Sequence, residues 1–424
     1  MINLLDKIFL RTKNLNYINL GFKNINEKTK INKIFQAIES FSNNSEIRYV
    51  GGCVRKIINK EKVDDIDLAV NLEPKNVCEA LKKFNIKFYE SGIEHGTITA
   101  LINNFKFEIT SLRKDVDTDG RHAKVVFSEN WKEDAARRDF TINSIYADLD
   151  GSLFDPFGGK RDLEKGIINF IGDSETRIKE DYLRILRYVR FFLNYSKKKH
   201  NPEIIKIIKK NLSGLYNVSS ERLLDEFYKL LKSNGFLKLA KDKDCLEIIN
   251  LIFPQLKNIS LFSKLNSFAK NNISKVDSIF LISLMIVDGT DNVNYFIYKF
   301  NISKKDQKRL LLLDKFYSQK ISNKSFTEKN LNKIFYYNGR EALMDIIYFK
   351  IFKSKKIDNE LIGLIEKYKD KQIPIMPFKA EFLMEKYNIP EGKELGVKLR
   401  AIEEVWTSNN FQISDQEVRK IVTN

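Results

Sequence analysis

Cysteine, histidine and proline are scarce in this chain of 424 residues, which has three cysteines, three histidines and seven prolines. Cys53, Cys78 and Cys245 lie far apart in the sequence. Their spacing excludes a paired disulfide framework and a zinc site completed by the histidines. We therefore expect reduced thiols in ordinary packing.

Long apolar runs are also missing. No run approaches the length of a transmembrane span, and residues 1–7 lack the long apolar core of a signal peptide. These absences argue against a membrane partner and predict a cytoplasmic protein. With 43% hydrophobic and 30% charged residues, the chain can bury an ample core and predicts more than one domain.

Acidic residues are fewer than basic residues in this chain. Lysine and arginine total 73 against 56 acidic residues, which gives a net charge of +17. Such an excess indicates a polyanionic partner, and RNA or DNA fits better than a membrane. Abundant lysine, asparagine and isoleucine also follow from a biased genome, so the charge is supporting evidence only.

The most informative stretch pairs a glycine turn with two aspartates. Residues 47–50 predict a short strand that runs into two glycines ending at Gly52, after which the pattern becomes helical. Backbone N–H groups at a helix start can face a phosphate, and Arg55 adds further donors. Asp65 and Asp67 follow at strand spacing, so both carboxylates share a face and suit Mg²⁺. Either motif alone is more often an ordinary turn or strand edge, but together they indicate nucleotidyl transfer.

A β-hairpin is predicted next in the chain. Alternating segments at 97–102 and 105–110 flank two asparagines, which tolerate the left-handed conformations of a tight turn. Glu108 in the second strand is either a third active-site carboxylate or an exposed strand residue. Residues 114–132 lack clear periodicity and predict a mobile loop.

Beyond about residue 160 the apolar residues recur at helical spacing, and no later segment predicts sheet. The predicted fold class is therefore α+β, with a small mixed or antiparallel sheet and its helices followed by an elongated all-helical region. We predict four segments: a helical lead-in at 1–46, a nucleotidyltransferase domain at 47–160, a helical neck at 161–240, and a helical body and tail at 241–424.

Two later segments concentrate arginine. Arg138 stands in an arginine pair directly before an apolar segment, and a planar guanidinium makes bidentate contacts with phosphate. Asp181, Arg184, Arg187 and Arg190 recur at every third residue and predict a slowly winding stripe on a helix. A carboxylate accepts and a guanidinium donates, so Asp181 and Arg184 together can read the edge of a base. This pattern predicts selection of nucleotides without a nucleic-acid template.

At this point the chain resembles the class II tRNA nucleotidyltransferases, or CCA-adding enzymes, and their relatives, the bacterial poly(A) polymerases. The resemblance covers roughly residues 47 to 192, with a fainter echo at 220–223. It rests, in family order, on residues 51–55, 65–67, 107–113, 119–121, 137–143, 150–159 and 181–190. Some relatives carry a metal-dependent His-Asp phosphohydrolase domain, which the three histidines argue against here.

The resemblance implies a role for each matching residue. Asp65 and Asp67 would be catalytic and hold Mg²⁺. The implied nucleotide-binding residues are Gly52, Arg55, Arg138, Asp181, Arg184, Arg187 and Arg190. The implied reaction is attack of the 3′-hydroxyl of tRNA on the α-phosphate of CTP or ATP, with release of pyrophosphate. The neck and body would bind tRNA, and no stable protein partner is implied.

One position departs from the family pattern: Lys56 follows Arg55 where the family usually has aspartate. The swap reverses a charge beside the expected triphosphate site, and it either adds a phosphate contact or removes a partner of Arg55. The leading functional hypothesis is addition or repair of the 3′-terminal CCA of tRNA. The alternatives are poly(A) polymerase, a partial CC-adding or A-adding enzyme, and a non-catalytic RNA-binding module.

Overall fold

The computed structural model describes residues 4–119, 122–318 and 326–423. It divides into two compact units, Met1–Phe236 and Leu237–Asn424. No helix within these described ranges is long and apolar enough to cross a membrane.

The first unit contains a seven-stranded mixed sheet and a separate two-stranded hairpin. The strands are β1 Ile47–Val50, β2 Asp67–Val70, β3 Lys87–Gly92, β4 Thr97–Ile102, β5 Phe105–Ser111, β6 Arg113–Asp119, β7 His122–Phe127, β8 Tyr146–Ala147 and β9 Leu153–Phe154. The large sheet has the order β3-β4-β5-β2-β1-β8-β9, and β6 pairs with β7. Strands β2 and β5 pair in parallel, whereas the other neighbours are antiparallel.

Helices flank this sheet and continue after it. In the first unit they are α1 Leu4–Thr29, α2 Asn32–Glu39, α3 Gly52–Ile58, α4 Pro74–Lys83, α5 Trp131–Ala136, α6 Gly159–Lys165, α7 Ser174–Glu180, α8 Leu183–Tyr195, α9 Pro202–Lys210 and α10 Ser220–Leu231, with α11 Phe236–Leu239 at its end. Single 3₁₀ turns occupy Ile93–His95, Thr141–Asn143 and Leu212–Asn217.

Strand β1 shows how the sheet is buried on both faces. The ring of Tyr49 lies 4.6 Å from Phe22 of α1 and 5.1 Å from Phe35 of α2. Successive side chains of a strand point to opposite faces. Val50 accordingly packs on the other side, in a cluster that includes Trp131 of α5 and Tyr146 of β8. Burial on both faces fixes the end of β1, where the glycine turn begins.

The second unit is helical throughout its described residues. Its helices are α12 Lys243–Ile252, α13 Ser267–Asn272, α14 Ser278–Ile286, α15 Asn292–Phe300, α16 Lys304–Ser318, α17 Glu328–Lys353, α18 Asn359–Lys369, α19 Ala380–Tyr387, α20 Lys393–Ser408 and α21 Asp415–Thr423, with 3₁₀ turns at Ile259–Ser263 and Ile273–Lys275. Helix α17 is interrupted by a non-helical backbone at Gly339. One buried apolar cluster, which includes Phe335, joins α17 and α18, and another, which includes Ile402, joins α19, α20 and α21.

The predicted fold class is confirmed, since a mixed sheet with helices precedes a long helical region. The predicted hairpin is confirmed as β4 and β5. The expected loop at 114–132 is wrong for the residues described, because β6 and β7 pair through their backbones there. Their backbone register shifts between Asp115 and Thr118, so the pairing is irregular there. Gly120 and Arg121, part of one family motif, lie outside the described residues.

Candidate active site

The glycine turn adopts the conformation that its sequence predicts. Gly51 has φ +69° and ψ −119° and caps α3, a backbone conformation that favours glycine. A Cβ atom added at Gly52 would meet no heavy atom within 4 Å, apart from its immediate chain neighbours. The turn therefore exposes backbone beside the cavity, with room for a ligand to approach Gly52 closely.

The carboxylates gather at the start of β2. Asp67 opens the strand and lies opposite Glu108 in the parallel pairing with β5. Burial raises the pKa of Asp67, and the negative charges of Glu108 and Asp65 raise it further, while Arg138 and Arg55 oppose them. Glu108 is exposed, as one of its two predicted possibilities has it, and it also lies beside Asp67.

Asp65 differs from its sequence prediction. It precedes β2, in the irregular segment at 61–66, so it does not share a strand face with Asp67. Strand pairing with β1 and β5 begins only at Asp67, which leaves the preceding backbone unpaired. The negative charge of Asp65 nevertheless helps to raise the pKa of Asp67, so the two carboxylates are near neighbours.

This group has the chemistry of a divalent-cation site. Asp65, Asp67 and Glu108 offer hard oxygen donors, and their charges crowd a partly buried position. Mg²⁺ uses one or two protein carboxylates and completes its coordination with water and substrate phosphates. The donor set fits such an ion.

A cavity of about 530 Å³ opens beside these carboxylates. It brings together every predicted nucleotide-binding residue, from both the glycine turn and the later arginine-rich segments. Its lining includes Gly52, Arg55, Asp67, Arg138, Asp181, Arg184, Arg187 and Arg190. Sequence elements far apart in the chain therefore converge on one strongly basic cavity.

Arg138 is held by a buried carboxylate. Its guanidinium donates to Asp134 at 3.1 and 3.2 Å and to the hydroxyl of Tyr146 at 3.1 Å. Burial alone would raise the pKa of Asp134, but Arg138, Arg137 and the Tyr146 hydrogen bond hold it at about 2. The carboxylate stays ionised and fixes Arg138 at the cavity wall.

A second buried carboxylate, Asp139, holds Arg187. Arg187 donates to Asp139 at 2.6 Å, and the Asn143 side-chain amide donates to the same carboxylate at 2.8 Å. Burial opposes ionisation, yet Arg187 and these hydrogen bonds keep the pKa of Asp139 at about 2. Asn143 in turn accepts from Arg55, so this network reaches the glycine-turn helix.

Arg55 carries a donor suited to an anion. Its side chain is buried, and its guanidinium lies 4.9 Å above the ring of Phe191. Within the described chain, its buried Nε has no hydrogen-bond partner. A buried N–H without a partner is costly, and an incoming anion would satisfy it.

Asp181 does not belong to the helical stripe that the sequence predicts. It has an extended backbone between α7 and α8, and only Arg184, Arg187 and Arg190 lie on α8. The physical reason is local, because the Asp181 carboxylate turns back to accept the N–H of Leu183, the first residue of α8, at 3.2 Å. Its other oxygen accepts from Arg222 of α10 at 2.8 Å.

The remaining arginines are paired as well. Arg184 donates to Glu180 at 2.6 Å, and Arg190 donates to the buried Glu226. Lys56 forms an ion pair with Asp64 at 3.3 Å. The reversed charge of Lys56 is thus matched by an acidic partner next to Asp65.

Sequence reasoning missed several residues of this site. Arg113, Arg137, Asn143 and Arg222 line the cavity, and Glu226 supports Arg190. Arg137 and Asn143 lie in the family-like segment at 137–143, and Arg222 lies in the weaker match at 220–223. Glu226 gave no signal that distinguishes it from a solvated glutamate.

Comparisons with known proteins agree with this geometry. A model of the poly A polymerase head domain matches residues 47–169. The human CCA tRNA nucleotidyltransferase 1, mitochondrial, is 33% identical over 386 residues, which cover 88% of this chain and 86% of the human protein. A CCA-adding enzyme of Lactobacillus johnsonii is 29% identical over 367 residues, covering 84% and 88%.

The chain belongs to the class II CCA-adding enzyme family. Solved structures of such enzymes share its fold. The Bacillus stearothermophilus CCA-adding enzyme in complex with CTP aligns with a TM-score of 0.73 at 20% identity, covering 92% of this chain and 95% of that structure. The Thermotoga maritima enzyme complexed with tRNA_CCA aligns with a TM-score of 0.60, covering 93% and 95%. Divalent-metal use is general in nucleotidyltransferases of this family, and the carboxylate group at β2 fits it.

Proposed function

We propose that this protein adds or repairs the 3′-terminal CCA of tRNA, using CTP and ATP and releasing pyrophosphate. The observation that carries the proposal is the convergence of three groups on one cavity. These are the carboxylate of Asp67, the arginines expected to bind triphosphate, and the Asp181 and Arg184 pair. Membership of the CCA-adding family supports the same reaction.

The proposed reaction forms a bond between the tRNA 3′-oxygen and the α-phosphorus of the nucleotide, and it breaks the bond to the leaving pyrophosphate. Arg55 and Arg138 bind the triphosphate through their guanidinium donors, and Gly52 lets it approach the backbone. These fixed donors neutralise charge where it develops, so that no covalent enzyme intermediate is needed.

Asp65 and Asp67 are the proposed catalytic and metal-binding residues, with Mg²⁺ as the proposed ion. Bound there, it would lower the pKa of the 3′-hydroxyl and neutralise the leaving group. Glu108 lies beside Asp67 and adds negative charge to the same group.

Base selection is proposed for Asp181 and Arg184. The Asp181 carboxylate accepts hydrogen bonds and the Arg184 guanidinium donates them, which suits the Watson–Crick edges of cytosine and adenine. Arg187 and Arg190 help to hold the nucleotide. Their carboxylate partners, Asp139 and Glu226, restrict their movement.

The helical regions are proposed to bind tRNA. The segments we assign are a neck at 161–240, which also carries the nucleotide-reading residues, and a body and tail at 241–424. RNA of this kind is recognised mainly by shape and phosphate contacts. We also propose the cytoplasm as the location of this protein. The human relative is named as mitochondrial, and subcellular fractionation distinguishes the two locations.

The decisive experiment is extension of tRNA transcripts that lack one, two or three terminal nucleotides. We expect CTP alone to add two cytidines to the transcript lacking three nucleotides and one to the transcript lacking two. ATP alone should extend only the transcript ending in CC, and the mixture should complete CCA on all three. Long adenosine tails would indicate a poly(A) polymerase instead, and addition of only one nucleotide type would indicate a partial enzyme. A double variant, D65A/D67A, should lose extension and keep tRNA binding, with Glu79→Ala as an exposed control on α4. Equal activity in the double variant would refute the metal assignment.

A further inference from the structure

Arg177 of α7 donates hydrogen bonds to the backbone of the arginine pair that contains Arg138. Its Nη2 atom donates to the carbonyl of Arg138 at 2.6 Å and also to the carbonyl of Arg137. A guanidinium holds its donors in a fixed planar fork, so two carbonyl contacts fix orientation as well as distance. The backbone that presents Arg138 to the cavity is therefore tied to α7.

The same helix end holds Arg184. Nη1 of Arg184 donates to the carbonyl of Arg177 at 2.6 Å and to the Glu180 carboxylate at 2.6 Å. The second guanidinium nitrogen of Arg177, its Nη1, donates to the same Glu180 oxygen. One carboxylate thus joins Arg184 to Arg177, and Arg177 in turn contacts the backbone of Arg138.

Arg177 and Glu180 stand behind the site rather than in it. The cavity is lined by Arg138 and Arg184 but by neither of these two residues. The side chain of Arg177 is 11% exposed. Burial lowers its pKa, and the neighbouring positive charge of Arg184 lowers it further. A buried arginine beside a second arginine is not what stability alone favours, which points to a functional reason for the arrangement.

We propose that Arg177 is a positioning residue that sets the spacing between Arg138 and Arg184, so that the choice of base depends on a side chain that does not touch the nucleotide. The inference rests on the proposed function, because it assigns the triphosphate to Arg138 and the base edge to Arg184. Arg177 and Glu180 link the residue assigned to the base edge with the residue assigned to the triphosphate. A shift of Arg177 therefore moves the base edge relative to the α-phosphate.

The test replaces Arg177 by lysine, which keeps the charge and removes the fork. We expect Arg177→Lys to lower the preference for CTP over UTP by about tenfold or more on tRNA lacking all three terminal nucleotides, since displacements near 1 Å cost up to about a hundredfold in rate. The readout is kcat/KM for each nucleotide, with KM and kcat determined separately. Glu180→Gln removes the shared carboxylate and should shift the preference in the same direction.

Lys179→Met is the matched control. Lys179 lies on the same helix, is 55% exposed and pairs with Glu175 rather than with the site. It should leave the CTP preference unchanged, and thermal unfolding of all three variants shows whether each is folded. If Arg177→Lys does not fold, Glu180→Gln carries the test.

An unchanged CTP preference in the folded variants would overturn the inference. This holds both when kcat/KM is retained and when it falls equally for both nucleotides, since an equal fall indicates only a general loss of activity. A wild-type protein that fails to extend tRNA would instead refute the proposed function, so the two failures are distinguishable.

Discussion

At the scale of single residues, the two glycines of the turn have different physical constraints. Gly51 needs its positive φ, whereas Gly52 does not and has open space where a Cβ would stand. Gly51 is thus required by the backbone conformation, and Gly52 leaves open space beside the cavity.

The two glycines predict separate effects, one on the stability of the protein and one on nucleotide binding. Gly51→Ala should lower the free energy of unfolding by about 1 kcal/mol or more, because a side chain there is forced into a left-handed conformation. Gly52→Ala should leave unfolding unchanged and raise KM for CTP, since its methyl group occupies the approach of the triphosphate. Urea unfolding and steady-state kinetics measure the two effects, and a destabilised Gly52→Ala with normal KM would contradict the assignment.

Lys56 supports a second prediction at this scale. Its ion pair with Asp64 is partly exposed, and such pairs contribute at most about 1 kcal/mol. The Lys56→Asp variant places two carboxylates together beside Asp65, and their added negative charge attracts the cation, so we expect a lower Mg²⁺ requirement for extension. The charge-reversed double variant, K56D/D64K, should restore the wild-type requirement.

Titration of extension against Mg²⁺ concentration measures both Lys56 variants. If the double variant keeps the shifted Mg²⁺ requirement of the single variant, Lys56 acts on the substrate and not through Asp64.

At the scale of elements, some features follow from sequence and others do not. The β1 strand, the glycine turn and the β4–β5 hairpin are predictable because turn residues and apolar runs bound them closely. The place of Asp181 is not, since the every-third-residue spacing continues across the break between α7 and α8. Neither is the partner of Arg190, because Glu226 is brought to it by helix packing that leaves no local signature.

Asp134 in α5 and Asp139, which follows that helix, predict how the stability of the protein falls in acid. Asp134 and Asp139 have pKa values of about 2 in the folded protein, below the ordinary value for aspartate of about 3.9. A depressed pKa stabilises the fold above pH 4, and this contribution is lost as the pH falls from about 4 towards 2. Each carboxylate should lose about 1 kcal/mol by pH 3.

The measurement of that acid sensitivity is the free energy of unfolding at pH 5 and pH 3. Asp134→Asn should be less stable than the wild type at pH 5 and show a shallower decline, because the variant has no carboxylate there to protonate. Parallel declines in the two proteins would mean that Asp134 is not responsible.

At the scale of the whole molecule, the net charge of +17 predicts how tRNA affinity depends on salt. Each phosphate contact releases counterions, so six or more contacts weaken binding by about a thousandfold between 50 and 200 mM salt. Filter binding with tRNA over this range measures the slope. KM for CTP should change far less, and a flat tRNA response would show that the excess charge does not face the nucleic acid.

Most of the catalytic region was predictable from sequence because its motifs are short, local and chemically distinctive. The helical second unit was predictable only in kind. Its apolar clusters, such as the one around Phe335, depend on which helices pack together, and periodicity does not specify partners.

The parallel pairing of β2 and β5 has a consequence for how the protein folds. Asp67 and Glu108 meet across that pair, although β3, α4 and β4 separate the two strands in the chain. Pairings between distant segments form slowly, because the intervening loop must first be closed. We therefore expect this pairing to form after the local β4–β5 hairpin, so that an incompletely folded chain lacks the carboxylate group proposed to bind metal.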